Sequence, residues 1–71
     1  MPIIQINMLA GRPSEVKADL IRRITQAVVD SLHVQPAQVR VLLNELPAEH
    51  WGVGGETMSV RIATEQSDSN A

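Results

Sequence analysis

The hydrophobic period of this chain changes twice, and that double change restricts the fold more than any single residue does. Between Ile3 and Leu9 the residues alternate, with Ile4, Ile6 and Met8 on one face and Ile3, Gln5, Asn7 and Leu9 on the other. Such a segment reads as a strand with one wholly apolar side. Ala10-Gly11-Arg12-Pro13 breaks it, and Ser14 is the expected N-cap of a helix with Glu15 in its first turn. From Ser14 to His33 the period is helical: Val16, Leu20, Ile24, Ala27, Val28 and Leu32 recur every three or four residues, with Ile21 beside them. Asp19 and Arg23 stand four apart in the favoured order for an ion pair. Gln35-Pro36 is expected to end the helix, because proline pushes the residue before it out of the helical region. Val39 to Leu46 then reads as a second strand, closed by Pro47. Strand, crossover helix and strand form a β-α-β unit whose two strands run parallel. Beyond it, Gly52, Gly54 and Gly55 mark a turn-rich loop or small hairpin, and Met58 to Ile62 fits a short third strand. Residues 64–71 are small and polar and read as an unstructured tail, leaving one domain over residues 2–63.

A chain of 71 residues gains little from burying a core of its own. Small folds compensate with disulfides, a metal or association. Cysteine is absent, which removes disulfides and thiolate metal sites, yet 44% of the residues are hydrophobic. One helix on a two-stranded sheet also leaves the far sheet face bare, and Ile3, Leu9, Leu42 and Leu46 are too apolar to remain in water. Self-association is the expected remedy. A net charge of −2, scattered basic residues and a single aromatic residue give no case for a nucleic-acid partner. No apolar run approaches a membrane span and no basic, apolar leader opens the chain, so a soluble, cytoplasmic protein is expected.

Candidate chemistry begins at Pro2. Methionine removal in the cytosol favours a small second residue, so Pro2 is expected to become the mature amino terminus, a secondary amine on a rigid ring. Model α-amino groups titrate near 7.7–8.0, and burial disfavours the charged form. An amine in an apolar pocket would then serve as a general base, or as a nucleophile toward a carbonyl, near neutral pH. Arg12, in the turn after the first strand, is either a solvated loop residue or a planar grip for a carboxylate. Arg40 lies amid Val39, Val41, Leu42 and Leu43, where arginine is unusual unless paired. It fits either an intersubunit ion pair or an anion site. Trp51, the only aromatic residue, would anchor its loop or line a pocket. The Gly52-Val53-Gly54-Gly55-Glu56 stretch lacks the Lys-Ser/Thr ending of a phosphate loop. His33 and His50 lack metal-ligand spacing, and no serine sits in a nucleophile elbow, so neither a metal nor a serine hydrolase site is expected.

Three motifs together resemble the 4-oxalocrotonate tautomerase family: the opening Met-Pro-Ile-Ile-Gln-Ile-Asn-Met-Leu-Ala-Gly-Arg, the Val39-Arg40-Val41 strand, and His50-Trp51-Gly52-Val53-Gly54-Gly55-Glu56. The resemblance runs from residue 2 to about residue 60. It implies an α+β fold: a β-α-β subunit with parallel strands, two of which form a four-stranded sheet backed by two helices. Three such dimers would make a homohexamer whose active sites are shared between subunits. No cofactor or metal is implied. By matching position, Pro2 would be the catalytic base, Arg12 the ligand of the distal carboxylate of a small anionic dicarboxylate substrate, and Arg40 the ligand of its keto-acid end. Leu9 and Val53 would line the pocket, and Trp51 would stand where the best-known members carry phenylalanine. The implied reaction is keto–enol isomerisation of a 2-hydroxymuconate-like acid. Two alternatives share the fold. One is hydration or dehalogenation of a haloacrylate, for which Glu45 and Glu56 are candidate water activators. The other is a non-catalytic assembly protein, which a retained Met1 would favour by turning the Pro2 amine into an amide.

Overall fold

A computed structural model describes residues 2–69. Met1, whose removal is expected, and Asn70 and Ala71, the end of the expected tail, lie outside the described residues. Strand β1 spans Ile3–Leu9, helix α1 Ser14–Leu32 and strand β2 Arg40–Leu46. β1 and β2 pair in parallel, with Ile3 opposite Arg40 and Leu9 opposite Leu46. The ladder continues past both ends: the Arg40 N–H donates to the Pro2 carbonyl at 3.0 Å, and the Ala10 N–H to the Leu46 carbonyl at 2.9 Å. Pro2 loses nothing there, since it needs only its carbonyl to join the sheet.

The helix begins one step earlier than a serine cap would set it. Pro13 is the N-cap, extended at ψ 160, and its carbonyl accepts from the Val16 and Lys17 N–H groups. Ser14 is therefore the first helical residue and makes no capping hydrogen bond. At the other end, His33 closes the helix in the left-handed region (φ 57), donating its N–H to Val29 O at 2.9 Å. The stop thus precedes Pro36, which instead opens a 3₁₀ turn over Pro36–Gln38 that Gln35 and Gln38 cap reciprocally.

After β2, a second 3₁₀ turn over Ala48–His50 leads into a hairpin of β3 (Gly52–Val53) and β4 (Glu56–Thr57). Gly54 and Gly55 both take positive φ (59 and 88), as a tight primed hairpin turn requires. The expected third strand at 58–62 is instead the start of helix α2, Met58–Ser69. Thr57 explains the difference: its Oγ1 accepts from the Val60 N–H at 3.4 Å, the geometry of a helix N-cap. Met58 and Ile62, both half-buried, suit a period of four as well as a period of two. The helix carries on through residues 64–69, where the polar composition suggested an unstructured tail.

The two sheet faces differ sharply in cover. Leu20, Ile24 and Val28 of α1 and Ile4, Ile6, Met8, Val41 and Leu43 of the sheet are half-buried. Val39 alone among the described residues approaches full burial, at 8% exposed. On the open face Ile3 is 60% and Leu42 50% exposed. The helix too keeps apolar surface in water at Val16, Ile21 and Leu32.

Candidate active site

The β1–β2 register sorts the candidate residues into two groups at opposite ends of the sheet. Pro2 and Arg40 share the end where β1 begins. Leu9, Arg12, Trp51 and Val53 share the end where β1 and β2 finish. A seven-residue strand extends about 20 Å, so a single subunit cannot close one small-molecule pocket over both groups.

At the first end, Pro2 is half-buried, its carbonyl held by the Arg40 backbone. Arg40 lies on the open face together with Ile3, and its side chain is anchored by a single contact, Nη1 donating to Ala37 O at 2.6 Å. At the second end, Gly11 takes φ 128, a conformation side chains resist, and so turns the chain before Arg12. Arg12 Nη1 donates to Leu9 O at 3.3 Å. Neither arginine has a carboxylate partner among the described residues. Arg22 and Arg23, by contrast, both pair with Asp19, the latter from Nε to Oδ2 at 2.8 Å. The guanidinium forks of Arg12 and Arg40 are therefore exposed and keep most of their donors for an external anion.

Trp51 ends the 3₁₀ turn, half-buried, with its N–H on Ala48 O at 3.3 Å and its carbonyl accepting from Met58 N. It lines a groove of about 390 Å³ together with Asn7, Leu46, His50 and Gly52. Leu9 and Val53, the expected wall residues, do not line this groove in the single subunit. Leu9 sits opposite Leu46 in the ladder, and Val53 is 37% exposed on the hairpin. Asn7, Leu46 and His50 were not singled out as pocket residues from sequence. The strand alternation that puts Leu9 on the open face puts Asn7 and Leu46 there too, so the first two were readable from the period. His50 was not, because its position depends on a 3₁₀ turn that no local signal announces.

Glu45 is unavailable as a water activator. It sits on the helix-covered face of β2 and binds Lys17 Nζ at 2.8 Å, each side chain 27% exposed. Glu56 lies on the hairpin opposite Val53, exposed. No group of three His, Cys, Asp or Glu among the described residues could hold a metal ion, and no described helix is long and apolar enough to cross a membrane.

A half-buried proline thus heads a parallel β-α-β sheet, and the arginines at its two ends have no carboxylate partner among the described residues. Residues 2–61 match the profile of the family described as tautomerase enzyme, and the chain belongs to that family, within its 4-oxalocrotonate tautomerase branch. It is 44% identical over 59 residues to a 2-hydroxymuconate tautomerase of Pseudomonas sp. strain CF600, covering 83% of this chain and 94% of that one. A solved structure among the 4-oxalocrotonate tautomerase isozymes of Methylibium petroleiphilum superposes with a TM-score of 0.85 at 51% identity, covering 89% of this chain and 98% of that one. A heterohexameric 4-oxalocrotonate tautomerase of Chloroflexus aurantiacus gives a TM-score of 0.79 at 41% identity, covering 83% and 95%. The chain is accordingly an isomerase of the tautomerase type.

Proposed function

We propose that the chain isomerises a small unsaturated 2-hydroxy dicarboxylate of the 2-hydroxymuconate kind to its 2-keto form, with Pro2 as the proton carrier. The observation that carries this reading is the pair of arginines without carboxylate partners, one at each end of a sheet that Pro2 heads. A dianion needs two cations, and Arg12 and Arg40 supply one at each end of the sheet. The neutral Pro2 amine takes the proton of the 2-hydroxyl. That oxygen becomes the carbonyl, the double bonds shift, and the resulting prolinium returns the proton to a carbon farther along the same substrate. No atom is gained or lost, so no cofactor is required. Arg40 stabilises negative charge building on the dienolate. Arg12 holds the far carboxylate and fixes alignment. Apolar walls and both arginine charges disfavour the ammonium form of Pro2 in the free enzyme.

The separation of the two groups along the sheet supports a site assembled from more than one copy, with Pro2 facing the Arg12–Trp51 end of a neighbour. Surface area supports association independently. The chain exposes 5284 Å², whereas a compact monomer of 7.8 kDa exposes about 4400 Å². The excess of about 900 Å² is surface that a compact monomer of this mass would keep out of water. A homohexamer is the assembly proposed; its six-subunit state is in line with the heterohexameric relative. The test is ultraviolet loss of the dienol and growth of the enone, with intact mass measured on the same sample. Active protein lacking Met1, and a Pro2→Ala variant that has lost activity, are the expected results. Full activity in Pro2→Ala would falsify the proline mechanism.

A further inference from the structure

The turn that carries Arg12 is one side of a closed ring, and an ion pair that the proposed chemistry does not use completes it. At one end of the turn the Ala10 N–H donates to Leu46 O at 2.9 Å. At the other end Pro13 O accepts from the Lys17 N–H at 3.3 Å. Lys17 Nζ in turn donates to Glu45 Oε1 at 2.8 Å, and Glu45 adjoins Leu46 in β2. The path from Ala10 through Arg12, Pro13, Lys17, Glu45 and Leu46 therefore returns to its start. Without the ion pair the ring is open.

Closure matters because little else holds the turn. Gly11, at φ 128, is a joint with wide backbone freedom. Arg12 makes one side-chain hydrogen bond among the described residues, to Leu9 O at 3.3 Å. The start of α1 has no side-chain cap. Apolar burial is non-directional, so the half-buried Leu20, Ile24 and Val28 hold α1 on the sheet without fixing how far along it the helix lies. Lys17–Glu45 is the sole side-chain hydrogen bond joining α1 to the sheet among the described residues. The pairs of Asp19 with Arg22 and Arg23 stay within α1 and join nothing to it.

We infer that Lys17 and Glu45 are positioning residues: their ion pair sets the place of the Arg12 guanidinium and, through it, the hold on the far carboxylate. The inference rests on the role proposed for Arg12 and names the two residues that keep that arginine in place. A partly buried, charge-assisted hydrogen bond suits the task, because it is directional and less screened than a surface pair. A guanidinium grips a carboxylate with two parallel bonds only when the two planes align. A turn free to swing about Gly11 should therefore lose substrate affinity before the chain loses its fold.

Steady-state kinetics on a dicarboxylate and its monocarboxylate analogue test this in Lys17→Met, Glu45→Gln and the reversed pair Lys17→Glu with Glu45→Lys. Each single variant should raise KM for the dicarboxylate about 3–10-fold and leave kcat within about twofold. KM for the monocarboxylate should stay unchanged. The reversed pair closes the ring again and should bring KM back toward that of the unaltered protein. In an Arg12→Gln background neither single change should add a further loss. Circular dichroism and native mass spectrometry report folding and assembly. Glu45→Asp keeps the charge, shortens the side chain by one methylene and should give a smaller rise in KM, which decides the matter if a harsher variant fails to assemble. The inference is overturned if the variants lower Tm while KM for the dicarboxylate stays unchanged, because the pair then only stabilises the fold. It is equally overturned if KM rises in Lys17→Met and falls in Glu45→Gln, since a lone carboxylate and a lone ammonium act on an anion in opposite senses. Failure of the Arg12 reading looks different: Arg12→Gln itself would then leave KM for the dicarboxylate unchanged.

Discussion

The two ends of the β1–β2 sheet carry different kinds of residue. At the head, Pro2 and Arg40 are fixed by the backbone itself, since the Arg40 N–H bonds the Pro2 carbonyl and the ladder sets their spacing. At the foot, Arg12, Trp51 and Val53 sit on a glycine turn, a 3₁₀ turn and a two-residue hairpin. A group that must move a proton needs placement within fractions of an ångström, and regular ladder structure supplies that. Groups that grip and select a substrate can sit on turns, where sequence varies without disturbing the sheet. On the proposed mechanism, chemistry falls to the head and substrate choice to the foot.

The largest effect should follow from removing the proton carrier. Pro2→Ala should lower kcat by about 10²–10⁴-fold, the range of general acid–base catalysis, with little change in KM. The same variant can break the idea that the two ends serve one another across subunits. Mixed with Arg12→Gln subunits under conditions that exchange copies, it should regain activity that neither parent shows. Random mixing leaves about one site in four with both groups intact. No recovery in assemblies shown by mass to be mixed would place both groups of one site in the same chain.

The two arginines should separate next. Arg40→Gln removes a cation from the charge that develops during reaction and should lower kcat by about 10²–10³-fold. Arg12→Gln removes a charge-assisted grip on the bound acid. It should act mainly on KM, by about 10–100-fold, with a smaller effect on a substrate that lacks the second carboxylate. Steady-state kinetics on a dicarboxylate and its monocarboxylate analogue decide this. Equal losses in kcat for both variants would erase the distinction between the ends.

Trp51→Phe should have a smaller, qualitative effect. The indole is larger than a phenyl ring and adds an N–H donor to the groove it shares with Asn7, Leu46 and His50. Its loss should preserve tautomerase activity while reordering preference across a panel of 2-hydroxy acids. An unchanged ranking would make Trp51 only an anchor for its loop.

The difference between the ends also sets how far the sequence could be read. β1, α1 and β2 follow from hydrophobic period, and their parallel pairing follows from the helix between them. The Pro2 and Arg40 end was legible for the same reason. Periodicity falters where capping decides. His33 in the left-handed region ended α1 before Pro36 could, and Thr57 turned an alternating Met58–Ile62 into a helix. The separation of Pro2 from Arg12 is a matter of strand length, readable once β1 is drawn. The Lys17–Glu45 pair is different. It depends on how far along the sheet α1 docks, which no local pattern supplies.

The smallest effect should come from a region belonging to neither end. Asp19, on the outer face of α1, is held below its ordinary value of 3.8 chiefly by the Arg22 hydrogen bond, which outweighs the opposing desolvation, with the Arg23 charge adding to the lowering. Because its folded value is lowered, its contribution to stability is present above 3.8 and is lost as pH falls through the folded value. Asp19→Asn should therefore lower Tm slightly at neutral pH, and the difference should vanish well below pH 3.8. The carboxylate is exposed to solvent, and surface pairs of this kind contribute little. Arg22 and Arg23 are engaged by Asp19, so releasing them should leave kcat and KM unchanged. A changed KM on Asp19→Asn would mean that freed surface arginines compete for the substrate anion, and that a place at the sheet ends is not what makes Arg12 and Arg40 bind it.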